Sequence, residues 1–317
     1  MIIADKIYGN IEIDEDVKMI LEKPYIQRLK KIHQNGADFL IDKRMNATRY
    51  EHSVGVMILL KKLGATKEEQ IAGLLHDVSH TVFSHMVDTL IKNENQNFHE
   101  QERGKFIEIN NIKKDIQEIG FNPDNLLNIN NFSLLDKKMP GLCADRIDYM
   151  LRDLFNMDML TNEEIKKIID SLIIEDDIIK IKTIEQGRNI IKKFIDLNKK
   201  IFFNPYFEIS NVLLSNIIRK LLDNKIIKEE DLFKDDEYII KKIETSSFNK
   251  ELININNKIR IIQHPKEGEF KVIRFLRYID PVLSGSSARI SEIDTQSHDI
   301  LQEYLKTKKE ISYNILI

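Results

Sequence analysis

Apolar residues recur at spacings of three and four along most of the chain, and the few Gly and Pro residues that interrupt them mark where helices should end. Val17 to Leu29 fits one such segment, with a break at Pro24; Ser53 to Leu63 (SVGVMILLKKL) and Lys67 to His76 (KEEQIAGLLH) fit two more, separated by Gly64, Ala65 and Thr66. Thr66 with Glu69 three residues later has the form of a capping box. A helix is expected from His80 to Lys92, then the polar loop NENQNF; residues 118–138 are Asn-rich, contain Pro123 and should include loops, and Leu142 to Phe155 is strongly amphipathic. Beyond residue 160 the pattern changes. Ser171 to Thr183 (SLIIEDDIIKIKT) predicts two short strands around an Asp-Asp turn, and Gln186 to Lys200 and Ile209 to Leu222 predict helices. The stretch from Ile259 to Ile317 mixes β-rich FKVIRFLRYI and EISYNILI with helical SHDILQEYLKT. The reading is a mainly α protein: a helical core over residues 1–160, a helical continuation with a short β-hairpin over 161–258, and a small α+β region over 259–317.

Composition narrows the function classes. A chain of 317 residues that is 42% hydrophobic and 31% charged can bury a sizeable core, so disorder is not expected. Its 48 basic and 51 acidic residues give a net charge of −3, and no global field recruits nucleic acid or an anionic membrane. The opening MIIADKIYGNIEIDED lacks a basic segment followed by an apolar run, and no apolar run approaches the roughly 18 residues of a bilayer span, so a cytoplasmic protein is expected. The single Cys143 cannot form an intramolecular disulfide and is expected to be a small buried residue. The abundance of Ile, Lys and Asn reflects genome composition, because these residues keep helical or strand periodicity without repeating.

Five of the eight histidines (His52, His76, His80, His85 and His99) crowd into 48 residues, interleaved with Arg49, Asp77, Asp88 and Glu100. Imidazole and carboxylate together suit Zn, Mn, Fe or Co. His76-Asp77 ends the apolar helix IAGLLHD, where an ionised Asp without a partner is costly and a cation is a natural one; a solvated Asp at a helix end is the plain alternative. Further on, Asp145, Asp148, Tyr149, Arg152 and Asp153 share one helical face opposite Ile147, Met150, Leu151 and Leu154, so carboxylates, a phenol and a guanidinium line up along one side. Ion pairs on a solvent-facing surface would give the same spacing.

Arg49 to Val56 (RYEHSVGV), Leu74 to His85 (LLHDVSHTVFSH), Phe98-His99-Glu100 and Ala144 to Asp153 (ADRIDYMLRD) resemble, in order and spacing, the HD-superfamily deoxynucleoside triphosphate triphosphohydrolases, over about residues 20–155. The resemblance implies an all-helical HD-domain core around one divalent metal (Mn, Mg, Fe, Co, Ni or Zn) held by His52, His76, Asp77 and Asp145, with the region after 160 closing the active site. It implies hydrolysis of a nucleotide by metal-activated water at the α phosphate, giving nucleoside and triphosphate. It further implies His99 as the catalytic histidine, oriented by Glu100 or Asp88, and His85 as donor to the leaving oxygen. Arg49, His80 and Arg146 would contact phosphate, and Tyr149, Asp153, Gln34 and Tyr206 would face the rest of the nucleotide. A homo-oligomer is expected on the same ground.

The chain departs from the family pattern HDxGHGPFSH at Ser79, Thr81 and Val82, without touching an expected ligand. Asn35 stands where the vertebrate SAM-and-HD-domain members of that family have an apolar residue that crowds a 2′-hydroxyl, and Asn could tolerate or bond one. The family Arg that helps to hold the terminal phosphates and the Tyr-x-His-Lys stretch that closes the pocket align with Leu197 to Lys200 and Pro205 to Glu208; Tyr206 aligns with the Tyr, the Arg and the His-Lys are missing, and either Lys199 or Lys200 substitutes for the Arg or the substrate carries fewer phosphates. The alternatives are an HD-type nucleotidase acting on mono- or dinucleotides and a non-catalytic nucleotide-sensing protein. A single-strand nuclease is disfavoured because no basic patch with interleaved aromatics is present.

Overall fold

The computed structural model describes residues 1–256, 260–264 and 268–316. A hairpin of β1 (Ile2–Asp5) and β2 (Gly9–Glu12) leads into α1 (Glu15–Leu21). The helical pattern breaks at Pro24, which opens α2 (Pro24–Gln27), because proline lacks the N–H of an interior turn but suits a first one. A 3-10 turn (Arg28–Lys31) and the short α3 (Asp38–Ile41) bring the chain to α4 (Arg49–Lys62) and α5 (Lys67–Leu75).

From His52 to Leu60 every side chain of α4 is buried, as befits a helix apolar on all sides and central to its fold. It begins four residues before the predicted Ser53 because Thr48 and Glu51 cap each other reciprocally, at 3.2 and 2.9 Å. The box expected at Thr66 and Glu69 forms only by half. Thr66 accepts from the Glu69 amide at 3.2 Å, but the buried Glu69 carboxylate instead accepts the amides of Leu134 and Leu135 at 2.8 and 3.0 Å, tying the loop before residue 143 to α5.

Four helices follow: α6 (Met86–Ile91), α7 (Phe98–Ile109), α8 (Ile112–Glu118) and α9 (Pro123–Leu126). The helix expected from His80 starts only at Met86. Phe83 and Ser84 both take a left-handed φ of 53°, and the amides of Val82 and Phe83 bond to the Leu232 carbonyl (2.9 Å) and the Asp236 carboxylate (2.7 Å). Residues 77–85 are therefore held as a turn by a distant part of the chain, which local periodicity cannot foresee.

The second half supplies α10 (Ala144–Asn156), α11 (Asn162–Asp170), the hairpin β3 (Leu172–Glu175) and β4 (Ile178–Ile181), and α12 (Ile184–Leu197), which runs into a π-helical turn at Asn198–Phe202. Pro205 then starts α13 (Pro205–Asp223), followed by α14 (Asp236–Glu244) and α15 (Asn249–Asn256). In the C-terminal region β5 (Arg260–His264), β6 (Phe270–Ile273) and β7 (Glu310–Leu316) form an antiparallel sheet in the order β5-β7-β6, with α16 (Ile290–Ile293) and α17 (Thr295–Leu305) between β6 and β7 in sequence. The strand predicted over FKVIRFLRYI stops at Ile273, where Arg274 turns to the buried Glu208 carboxylate, at 2.6 and 2.8 Å. Ile259 and Ile317, the ends of the expected C-terminal region, lie outside the described residues.

The mainly helical class read from the periodicity holds. One apolar cluster centred on α4 takes in Ile20, Met57, Ile191, Phe194, Ile290 and Tyr304, so all three expected stretches contribute to it; a second lies under α3, α6, α13 and α14. No helix among the described residues is long and apolar enough to cross a membrane. Glu69→Ala should lower stability by about 2–4 kcal/mol, because two buried amides lose their acceptor. Denaturant unfolding measures this; a loss within about 0.5 kcal/mol, the range of ordinary surface changes, would remove Glu69 from the framework.

Candidate metal centre and active site

α4 supplies His52, the turn after α5 supplies His76 and Asp77, and the first turn of α10 supplies Asp145. The structure brings these four expected ligands together. Nε2 of His52 lies 3.0 Å from Asp145 and 3.5 Å from Asp77, and Nε2 of His76 lies 3.4 Å from Asp77 and 3.7 Å from Asp145. The 3.0 Å contact is off line for a hydrogen bond, and both Nε2 atoms are buried without a hydrogen-bond partner.

The opposite nitrogen of each ring is engaged. Nδ1 of His76 donates to the Gly73 carbonyl at 2.7 Å, and Nδ1 of His52 donates to Asp148 at 2.8 Å. A neutral ring whose Nδ1 carries the proton presents a bare lone pair at Nε2, which is the state a metal ligand needs. Burial opposes a charge on His52, yet Asp145 and Asp148 outweigh it and lift its pKa to about 9, so near neutral pH a metal at Nε2 would take the place of a proton. Burial likewise opposes ionisation of Asp77, but His76, Arg49 and His80 hold its carboxyl well below the usual range, and His52 and His76 do the same for Asp145. The buried Asp77 and the half-buried Asp145 face Nε2 of both rings and make a mixed carboxylate–imidazole donor set. A divalent cation fits this donor set, and His52, His76 and Asp77 offer ligand atoms that all lie within 4.8 Å of one another.

Asp148 and Arg152, read from the sequence as part of a polar face open to the site, are fully buried and paired at 2.9 and 3.1 Å. Arg152 also reaches Asp5 of β1 at 3.2 Å, so the N-terminal hairpin helps to brace the residue that orients His52. A Cβ at Gly55 would lie 2.1 Å from both the Arg152 guanidinium and the Asp148 carboxylate, which is why α4 carries glycine where α10 crosses it.

A second row of imidazoles stands beside the first. The rings of His80 and His99 stack at 3.8 Å and 17°, and His85 meets both edge-on at 5.0 and 5.3 Å. Burial lowers the pKa of all three, that of His99 to about 3, so they sit as neutral rings. The expected orientation of His99 by Glu100 or Asp88 is not what forms. Among the described residues no hydrogen bond joins His99 to either carboxylate; Asp88 is bonded to Nδ1 of His85 at 3.1 Å and is itself fixed by Asn93 (2.8 Å) and the Phe98 amide (3.0 Å). The departure at Ser79 has a structural use, since its hydroxyl donates to the His99 carbonyl at 2.9 Å.

These groups open on a cavity of about 930 Å³ lined by Gln34, Arg49, Asp77, His80, His85, Asp88, His99, Glu100, Asp145, Arg146 and Tyr149 from the expected set. Arg49 is pinned between Asp77 (2.5 Å) and Ser84 (2.8 Å), and Arg146 lies 3.5 Å from Asp136. Gln34 keeps its side-chain carbonyl without a partner. Asp153 is buried, does not line the cavity, and accepts at 2.8 Å from Asn35, which does line it.

Tyr206 is a correction. It is 43% exposed and does not line the cavity, because on α13 the cavity face is formed by Phe207, Asn211 and Ser215. Lys199 and Lys200 also leave the site and pair with Glu303 (3.8 Å) and Asp196 (3.3 Å). The sequence reading missed Asp136, Phe202, Phe207, Asn211, Arg274 and Arg277, which complete the wall from segments carrying no motif.

Comparison with known proteins agrees with this geometry. The HD domain family model matches residues 49–173. The chain is 34% identical over its whole length to the uncharacterized protein YdhJ of Bacillus subtilis, covering 99% of that protein. It is 35% identical over 54% of its length to the metal-dependent phosphohydrolase cns2 of Cordyceps militaris, covering half of that protein. It is 27% identical over 53% of its length to the human deoxynucleoside triphosphate triphosphohydrolase SAMHD1, covering 35% of it. Asp148→Asn should leave the chain folded and weaken divalent-metal affinity about 10–100-fold, as loss of a partner to a ligating histidine does. Competition against a chelating dye reads this directly, and wild-type affinity in the variant would deny Asp148 its orienting role.

Proposed function

The chain belongs to the HD-domain family of metal-dependent phosphohydrolases, and from that premise we propose that its substrate is a nucleotide, with a nucleoside triphosphate cleaved to nucleoside and triphosphate as the leading version. The observation that carries this reading is the cavity's division of labour. Asp77, Asp145, His80, His85 and His99 line the cavity together with Arg49 and Arg146, while Tyr149, Phe202 and Phe207 give it aromatic surface and Gln34, Asn35 and Asn211 give it amides. A volume of about 930 Å³ suits a ligand with both a charged chain and a flat base.

One divalent ion, held by His52, His76, Asp77 and Asp145, would supply Lewis acidity and a water of lowered pKa. The remaining work falls to the side chains. Arg49, fixed by Asp77 and Ser84, presents its guanidinium edge to the cavity for phosphate oxygens, and Arg146 adds a second fork. As the new oxygen–phosphorus bond forms and the bond to the nucleoside oxygen breaks, that oxygen needs a proton. His85 is the better placed donor, because Asp88 holds its Nδ1 and stabilises the imidazolium that must form before transfer from Nε2. His99 stays neutral against His80 and keeps an acceptor lone pair for the attacking water.

A second reading, an HD-type nucleotidase acting on mono- or dinucleotides, draws support from Tyr206, Lys199 and Lys200, which stand outside the cavity and give terminal phosphates no contact. A panel of ribo- and deoxyribonucleoside mono-, di- and triphosphates and dinucleotides, with Mn²⁺, Mg²⁺ or Co²⁺ and products separated by chromatography, decides between them. The expected products are nucleoside and triphosphate; turnover of monophosphates alone would select the nucleotidase, and no turnover of any nucleotide would sink both. On the substrate so found, His85→Gln should lower kcat by about 10²–10⁴-fold with KM little changed.

A further inference from the structure

The cavity-lining arginines differ in how their charge is met. Arg49 is paired with Asp77, Arg274 makes two contacts to Glu208, and Arg146 lies 3.5 Å from Asp136. Arg277 stands apart: among the described residues no carboxylate lies within ion-pair distance of it, and its one side-chain hydrogen bond runs from Nη2 to Oε1 of Gln96, at 2.7 Å. The guanidinium lies 5.7 Å from the Phe202 ring and 5.1 Å from the Phe275 ring, and the Arg277 carbonyl accepts from the hydroxyl of the fully buried Tyr304, at 2.8 Å. Backbone and side chain are thus fixed from two sides, by α17 and by the loop before α7. A guanidinium has five N–H donors in a planar fork, and here one bond is made while the rest of the fork fronts the cavity that holds His85, Tyr149 and Asp145. The guanidinium is half-buried and most of its donors are left to the cavity, so a bound anion is the natural partner.

We propose that Arg277 is a phosphate-binding residue of the active site, contributed by the C-terminal region and aimed by Gln96. The assignment rests on the reading of the chain as a nucleotide phosphohydrolase. It gives that reading a cation for the phosphate chain which the motifs of the first 155 residues do not supply, and it makes residues 274–305 part of substrate recognition.

The test uses the metal-loaded full chain. Inorganic phosphate and tripolyphosphate are titrated calorimetrically into wild type, Arg277→Ala, Arg277→Lys, Gln96→Ala and Lys199→Ala, with thermal unfolding to confirm that each variant is folded. Arg277→Ala should bind at least one of the two anions about tenfold or more weakly, the loss of a charge-assisted fork. Arg277→Lys should recover part of that loss, Gln96→Ala should show a smaller one, and Lys199→Ala, which removes a cation outside the cavity, should match wild type. If Arg277→Ala does not fold, Arg277→Lys and Gln96→Ala carry the decision. A loss on both anions places Arg277 on a phosphate common to all substrates, and a loss on tripolyphosphate alone places it on the outer ones. Equal binding by wild type and the Arg277 variants, or no binding of either anion by wild type, overturns the assignment. Nucleotide turnover by wild type is scored separately: turnover with Arg277-independent binding defeats this inference alone, whereas Arg277-dependent phosphate binding without nucleotide turnover defeats the substrate reading alone.

Discussion

The Nε2 atoms of His52 and His76, which make no hydrogen bond, face the carboxylates of Asp77 and Asp145 at the junction of α4, the turn after α5 and the start of α10, and the rest of the site is built around that contact. Among the described residues, of the two carboxylates only Asp77 has an arginine within ion-pair distance, Arg49, so a divalent ion among the four donors would complete the charge balance of the cluster. Each ring is locked by its far nitrogen, His76 on a backbone carbonyl of α5 and His52 on a carboxylate of α10. Asp148 in turn is braced by Arg152 and, through it, by Asp5 at the N-terminus. The chain from Asp5 to His52 crosses 47 positions of sequence, and its integrity depends on a glycine at position 55 leaving room for it.

From this centre the active site grows outward by recruitment. The left-handed turn at Phe83 and Ser84, pinned by Asp236, sets His80 and His85 beside His99, and burial favours the neutral form of all three rings. The lining is completed by the π-helical turn, α13 and the segment after β6, whose Arg274 is locked to Glu208 and Tyr313. The proposed catalytic groups therefore sit on the helical core, and later parts of the chain complete the cavity in front of them.

Much of this was legible in the sequence, for identifiable reasons. The helices over residues 53–63 and 67–76 and the hairpin at 171–183 declared themselves through period and turn residues, and the four expected ligands lay in motifs with fixed spacing. What failed were statements about partners at long range. Glu69 was assigned to its own helix end and instead caps the loop at Leu134 and Leu135. Asp88 and Glu100 flank His99 in sequence, but Asp88 serves His85 across one turn. Tyr206 matched a motif one position away from the residues that face the cavity, where helix geometry turns it outward. Arg277 had no local signal, because its meaning comes from the contacts of Gln96, Phe202 and Tyr304 around it.

The central claim is that the cluster of His52, His76, Asp77 and Asp145 holds one divalent ion. Elemental analysis of the purified full chain, dialysed in turn against Mn²⁺, Fe²⁺, Co²⁺, Ni²⁺ and Zn²⁺ and compared with His76→Ala treated identically, tests it most directly. The account predicts about one ion per chain for at least one metal in the wild type, and close to none in the variant, because removing one ligand of a four-donor set leaves the others unable to retain the ion. Wild-type protein that retains no metal under any of these conditions, or a variant that retains as much as wild type, would contradict it.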